Sequence, residues 1–362
     1  MGAARRCATP RRASQARPCR PLPLSPPRGS HLRTPASDTD GVRRCFGAAH
    51  RLLISGFHAT SANGIRTHAR FIRHISGACS RRRSSLVEPP HRTGPPAPTR
   101  AAHGLCRSVG SHRRGGTSAG KALHLAQLRE GIELHALIAD DPDGRRVRDA
   151  LAAAGVTLHA HASSRTERHT NLMTPQGERL SIYVDTPSTA GQSTLHAVET
   201  ALRGADVAVI DLSDLGSTLL ERRDCAEWRA NVWVDLHDYD GASAYHDPFV
   251  TAADVVFMND DRTNDPWELM SSCLRRGPRL AVCTRGAEGA IALNTSGDRY
   301  EVHAEPTVVV DTNGAGDAFM AGFFHASLSG ADIAASLRQG ATQATIALRS
   351  PHLHPLVDRV LG

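Results

Sequence analysis

The chain has 362 residues, 22% of them charged, with a net charge of +7. That surplus is not spread evenly: before Gly115 there are 22 Arg, no Lys and three acids (Asp38, Asp40, Glu88), a balance of +19 that leaves about −12 for residues 115–362. The acidic part argues against nucleic acid as its partner, and no run of 18 apolar residues exists to span a bilayer.

Residues 1–114 mix Arg, Pro, Ser, His and Gly without sustained apolar periodicity, and their longest apolar stretch, 51–57 (RLLISGF), is too short for a domain. The segment is expected to be a disordered, basic, low-complexity region. Three readings stand for it: an Arg-rich transit peptide, a nucleic-acid-binding tail, or translated sequence upstream of the real gene start, which is the reading preferred here. Lys121 is the single lysine beside 42 Arg, a bias that points to a GC-rich coding sequence. The eight cysteines are scattered, with no C-x-x-C pair and no clustered Cys/His spacing, so the expectation is a reduced, cytoplasmic protein without a structural zinc site.

From Gly115 the texture changes to an α/β alternation. Helical spacing over 121–130 is followed by a strand at 133–139 (ELHALIA), a helix over 143–154 closed by Gly155, and a strand at 156–161. Residues 168–184 break the rhythm: RHTNLMT and RLSIYV flank the turn PQGE at 175–178, the pattern of a β-hairpin that could serve as a lid. Strands then recur at 206–211 (DVAVID), 231–235 (NVWVD), 254–258 (DVVFM) and 279–284 (RLAVCT). Short apolar strands joined by helices predict a largely parallel sheet covered on both faces.

The strongest chemical signal is VDTNGAGDAFMAG at 310–322, where a β-branched run enters a Gly-rich turn and then a helix of small and apolar residues. The free N–H groups and dipole of a helix N-terminus can hold charge developing on a phosphoryl group, which makes Gly314, Ala315 and Gly316 a candidate anion hole. Asp317 sits at the mouth of the same helix, where its carboxylate can take a proton from an attacking hydroxyl. Simple helix capping is the competing role for this Asp.

The run Asp311-Thr-Asn-Gly-Ala-Gly-Asp317 resembles the carboxyl-terminal D-T-x-G-A-G-D signature of PfkB/ribokinase-family carbohydrate kinases, and the likeness extends over residues 115–355. The resemblance implies a three-layer α/β/α ribokinase-like domain with a small β lid, occupying residues 115–362. It also implies transfer of the ATP γ-phosphate to an alcohol of a sugar or sugar-like acceptor, with Mg²⁺ as the metal. A nucleoside acceptor, or an inactive kinase remnant, are the alternatives, and a homodimer is left open.

Weaker matches accompany it. Thr284, Gly286 and Gly289 in TRGAEG resemble the family's nucleotide turn, although a plain strand-to-strand turn gives the same pattern. Gly115, Gly116 and Lys121 fall in a segment similar to the loop that meets the sugar. The Asn usual in that loop is replaced by Gly120, for which Lys121 is a substitute contact unless it simply faces solvent. The metal-organising N-x-x-E segment appears as Asn259-Asp-Asp-Arg262, leaving Asn259 and Asp311 as the metal residues that the resemblance suggests. His237 to Asp240 form a polar cluster after a strand, where ligand loops or surface loops lie, and His124 reads as a packed histidine. Family members begin with a hydrophobic strand and an acceptor-binding Asp. Residues 75–114 are too rich in Arg and Pro for such a strand, so the domain is expected to be truncated at its start.

Overall fold

The computed structural model describes residues 51–55, 116–173 and 179–357. Its main element is a nine-stranded sheet in the order β11-β10-β9-β8-β7-β6-β1-β2-β3. The strands are β1 (Arg51–Ser55), β2 (Ile132–Leu137), β3 (Thr157–His161), β6 (Val207–Asp211), β7 (Asn231–Asp235), β8 (Val255–Asn259), β9 (Leu280–Thr284), β10 (Ala290–Asn294) and β11 (Arg299–Val302). All pairings from β3 to β9 are parallel, whereas β10 runs antiparallel to both β9 and β11. The helices are α1 (Thr117–Gln127), α2 (Pro142–Ala153), α3 (Gln192–Gly204), α4 (Asp214–Glu221), α5 (Asp247–Ala252), α6 (Pro266–Leu274), α7 (Ala315–Leu328) and α8 (Ile333–Leu348).

Alternation along the strands sorts the side chains into two cores. Val207, Val209, Trp233, Val255, Phe257 and Val282 pack with residues of α1, α2, α7 and α8. Ala208, Ile210, Val232, Val234, Val256 and Met258 pack with α3 to α6 on the opposite face. Strands buried on both faces read as continuous apolar runs, which is why VAVI and VVFM carry no polar alternation. The three-layer α/β/α expectation and the predicted strands at 206–211, 231–235, 254–258 and 279–284 agree with this sheet to within a residue at each end.

The beginning differs from expectation. Arg51–Ser55, within the segment read as structureless, forms β1 in the interior of the sheet, third from the β3 edge, pairing Leu53 with Leu134 of β2 and with Val209 of β6. Five residues suffice because a strand with parallel neighbours on both sides satisfies its backbone groups from two ladders at once. A first strand is therefore present, upstream of the Arg/Pro-rich stretch in which one was sought. That stretch, and the rest of 1–114, lies outside the described residues.

β4 (Arg168–Met173) and β5 (Arg179–Asp185) form a separate two-stranded antiparallel sheet, as the hairpin pattern predicted; the turn at 174–178 lies outside the described residues. The β-branched run before the Gly-rich turn is not a strand. Val308, Val309 and Val310 are exposed in a loop, because Val310 and Asp311 donate their N–H groups to Leu348 O at the end of α8, at 2.7 and 3.3 Å, instead of to a sheet edge. No helix among the described residues is long and apolar enough to cross a membrane.

Gly289 closes the β9–β10 turn at φ +99°, and a Cβ there would lie 2.0 Å from Val302 O. Both the left-handed backbone and the close approach of β11 require glycine. Gly289→Ala is expected to destabilise the protein by about 1–3 kcal/mol from backbone strain alone, read as a lower urea midpoint.

Candidate active site

Parallel strands deliver the residues after their carboxyl ends to one rim of the sheet. Here β6 ends on Asp211 and its neighbour β7 ends on Asp235, and both side chains are buried. Asp317, in the first turn of α7, is buried with them. Lys121 reaches this group from α1: its Nζ lies 2.7 Å from Asp317 Oδ1, 3.2 Å from Asp235 Oδ2 and 3.3 Å from Asp211 Oδ1. Lys121 is 1% exposed, so the solvent-facing alternative does not hold.

The three carboxylates are not equivalent. Asp211 accepts hydrogen bonds from the hydroxyls of Thr117, at 2.7 Å, and Ser118. Burial pushes its pKa up, but Lys121, His237 and these hydroxyls together bring it below the usual carboxylate value. Asp235 accepts the His237 N–H at 3.0 Å; burial is again outweighed, here by His237 and Lys121, and its pKa is lowered. Asp317 has no such set of donors. Burial raises it to about 6, with Lys121 opposing and Asp235 adding to the rise. Burial works against the Lys121 charge, yet Asp211, Asp317 and Asp235 together hold its pKa well above the ordinary lysine value. One cation thus faces three carboxylates, and Asp317 is the one that exchanges a proton near neutrality.

Gly120 fits this arrangement. A Cβ at that position would come within 2.9 Å of Asp317 Oδ2 and 3.2 Å of its Cβ and Cγ. Gly120 thus leaves a space that Asp317 fills, and Lys121 next to it holds the same carboxylate.

The Gly-rich turn enters α7 through Gly314 at φ +82°, where a Cβ would meet Leu353 Cδ2 at 2.9 Å. The N-cap of α7 is Gly314, which has no side chain to cap the helix, and the Ala315 N–H donates to Thr312 O at 3.3 Å. α2, α4, α6 and α8, by contrast, are capped by Asp141, Ser213, Asp265 and Asp332. A Cβ on Gly316 would meet nothing within 4 Å, so the backbone there opens onto free space. Gly314, Ala315, Gly316 and Asp317 are thus brought together as one helix mouth.

The other candidates are distributed around the rim. Gly116 is the residue before α1, and Gly115 lies outside the described residues. Thr284 ends β9 and turns its hydroxyl to Met258 O at 3.4 Å, and Gly286 faces open space at φ +51°. The TRGAEG segment is a strand-to-strand turn, with Arg285 N–H donating to Gly289 O at 2.7 Å. Asn259 ends β8 and accepts the Asp261 N–H at 3.1 Å; Asp311 accepts the Asn313 N–H at 2.8 Å. Arg262, found where the family pattern has Glu, pairs with Asp238 at 3.0 Å. Tyr239 is buried and takes a hydrogen bond from Arg276. His124 is packed: its ring lies 3.0 Å from Leu353 O and 2.9 Å from Gln343, and burial lowers it to about 3. Asp211 and Asp235 were not singled out from sequence. The available signal was two adjacent predicted strands, VAVID and NVWVD, that both finish on Asp.

This architecture is that of the ribokinase-like α/β fold. The structure superposes on that of the microbiome-derived acarbose kinase Mak1 with a TM-score of 0.60 and 25% identity, covering 83% of this chain and 93% of that one. The fold is shared with Arabidopsis thaliana ribokinase complexed with ribose and ATP, at a TM-score of 0.55 and 18% identity over 66% of this chain and 83% of that one. In sequence, the chain is 31% identical over 244 residues to an acarbose 7(IV)-phosphotransferase of Actinoplanes sp., covering 65% of this chain and 80% of that protein. A 5-dehydro-2-deoxygluconokinase of Halalkalibacterium halodurans matches at 33% over 91 residues, 25% of this chain and 28% of that one. The profile of the pfkB family of carbohydrate kinases matches residues 107–356, and the chain belongs to that family.

Removing one partner of a buried ion pair leaves the other charges uncompensated. Lys121→Met is therefore expected to lower stability at pH 7 by about 3–5 kcal/mol in urea unfolding. A loss no larger than that of an ordinary surface substitution would contradict the role assigned to this lysine.

Proposed function

We propose that the protein transfers the γ-phosphoryl group of ATP to a hydroxyl of a carbohydrate acceptor, with Asp317 as the base. The observation that carries this reading is the pairing of a carboxylate of pKa about 6 with the glycine-opened N-terminus of the same helix. A base needs a pKa near the working pH, and phosphoryl transfer needs fixed dipoles where charge develops.

Lys121 holds Asp317 Oδ1, and the space at Gly120 lets the carboxylate sit without a neighbouring side chain against Oδ2. That oxygen takes the proton of the acceptor hydroxyl as it attacks. The helix mouth formed by Gly314, Ala315 and Gly316 would face the transferred group, with the Gly316 backbone opening onto free space that suits a phosphate. ATP, when bound, supplies the phosphoryl group, with Thr284, Gly286 and Gly289 proposed on its nucleotide side. Asn259 and Asp311 would hold Mg²⁺; an amide oxygen and a carboxylate are the hard donors it takes together with water. Gly116 would lie against the acceptor. Lys121 would act on the acceptor through the carboxylates it holds, because its Nζ is already directed at three of them. The β4–β5 hairpin, with Ile182 and Val184 exposed on β5, suits a lid that covers the acceptor.

Acarbose is the first acceptor to test, since both the Actinoplanes relative and Mak1 carry it in their names. ADP release is measured over a panel of acarbose, monosaccharides, sugar acids and nucleosides. Turnover with a carbohydrate is expected; turnover with nucleosides alone, or with nothing in the panel, would overturn the assignment.

Asp317→Asn is expected to lower kcat about 10²–10⁴-fold. Protonation disables the base, so kcat/KM should fall about tenfold per pH unit below pH 6, the pKa of Asp317 in the company of Lys121, Asp211, Asp235 and His237. Gly120→Ala should displace the carboxylate by a fraction of an ångström and lower kcat about tenfold without unfolding the protein, given that misplacement by about 1 Å can cost 10²-fold.

A further inference from the structure

We propose that Glu133, His135 and His159 bind a zinc ion on the outer strand pair of the sheet, away from the kinase site. β2 and β3 run parallel, with Glu133 opposite Thr157, His135 opposite His159 and Leu137 opposite His161. Residues two apart on a strand share a face. Glu133, His135, His159 and His161 therefore project to the same side of the sheet, while Leu134 turns to the core on the other side.

One ligand atom each from Glu133, His135 and His159 can be chosen so that all three lie within 4.8 Å of one another. Glu133 Oε2 is 3.1 Å from His159 Nε2 and 3.8 Å from His135 Nε2. Neighbouring ligands of a tetrahedral zinc with bonds of about 2.0–2.1 Å stand about 3.4 Å apart, and the two observed separations bracket that value. The donor set of two imidazoles and one carboxylate is one that zinc accepts, with water in the fourth place.

A second observation points to a ligand. His135 is 4% exposed, and its Nε2 is buried without a hydrogen-bond partner. Its other nitrogen, Nδ1, lies 3.0 Å from His161 Nε2, a contact that holds the ring in place in the way an outer partner holds a metal-binding histidine. The His135 and His159 rings stack at 4.5 Å with 18° between their planes, so they present the same edge to Glu133. The buried His135 Nε2 faces the Glu133 carboxylate oxygen at 3.8 Å, too far for a hydrogen bond, and is left unsatisfied; a cation between them would satisfy it. Glu133 and His159 have side-chain exposures of 42% and 44%, which leaves an entry path from solvent. Binding would clip the edge strand β3 to β2, where the ladder has no further neighbour.

The chain holds 20 histidines, so the test reads a difference. Zinc is titrated into the full chain, its His159→Ala variant and its Glu133→Gln variant, each competing against a chromophoric chelator, and melting is followed with Zn²⁺ or Mg²⁺ added. The parent is expected to hold one zinc ion more tightly than either variant by about tenfold or more, and to gain more melting temperature with Zn²⁺ than either variant, while any shift with Mg²⁺ is the same in all three. Both variants alter half-exposed side chains, so their metal-free melting should match the parent. Equal zinc uptake and affinity in all three proteins, or an equal thermal shift with Zn²⁺ in all three, would overturn the site.

Discussion

The buried ammonium of Lys121 is the contact on which the rest of the site depends. Three carboxylates from three elements, the ends of β6 and β7 and the first turn of α7, converge within 3.3 Å of one nitrogen. Without that charge the group would be a cluster of desolvated anions, a state that a domain of marginal stability cannot hold. With it, the negative charge is divided unequally. Asp211 and Asp235 are kept ionised by Lys121 and His237, with hydroxyl and backbone donors adding to them, while Asp317 stays at the threshold of protonation.

That division follows from the sheet. Parallel strands put their carboxyl ends on one rim, and α7 and α1, packed on the same face, bring the helix mouth and the lysine to that rim. The N-cap of α7 is a glycine without a side chain to cap the helix, and the position next to Asp317 is a glycine into which the carboxylate can lean. Gly120 and the buried Lys121 beside it serve the same carboxylate: the lysine holds one of its oxygens, and a larger residue at 120 would push against the other.

Much of this was legible before any coordinates. The GAGD turn, the four apolar strands and the hairpin could be read because each is written locally, in turn residues and in period. The strand Arg51–Ser55 was not, since five residues without a partner carry no distinguishing pattern; only the neighbouring ladders of β2 and β6 make them a strand. The Val308 to Val310 run shows the converse: its β-branched residues favour a strand, yet it lies in a loop whose Val310 N–H donates to Leu348 O. The histidines of ELHAL and TLHAH look unremarkable 24 residues apart, and it takes the parallel register to stack His135 on His159.

The sequence by itself determined the alternating α/β class, the glycine turn that opens α7 and the presence of an Asp at its mouth, because these depend on dihedral preference and hydrophobic period over a few residues. Tertiary structure alone decided that Lys121 lies inside rather than in solvent, that Asp211 and Asp235 join it, and that Asp317 is the carboxyl left near 6. Burial and the distance between charges set a pKa and the worth of an ion pair, and both quantities exist only once distant segments have been brought together.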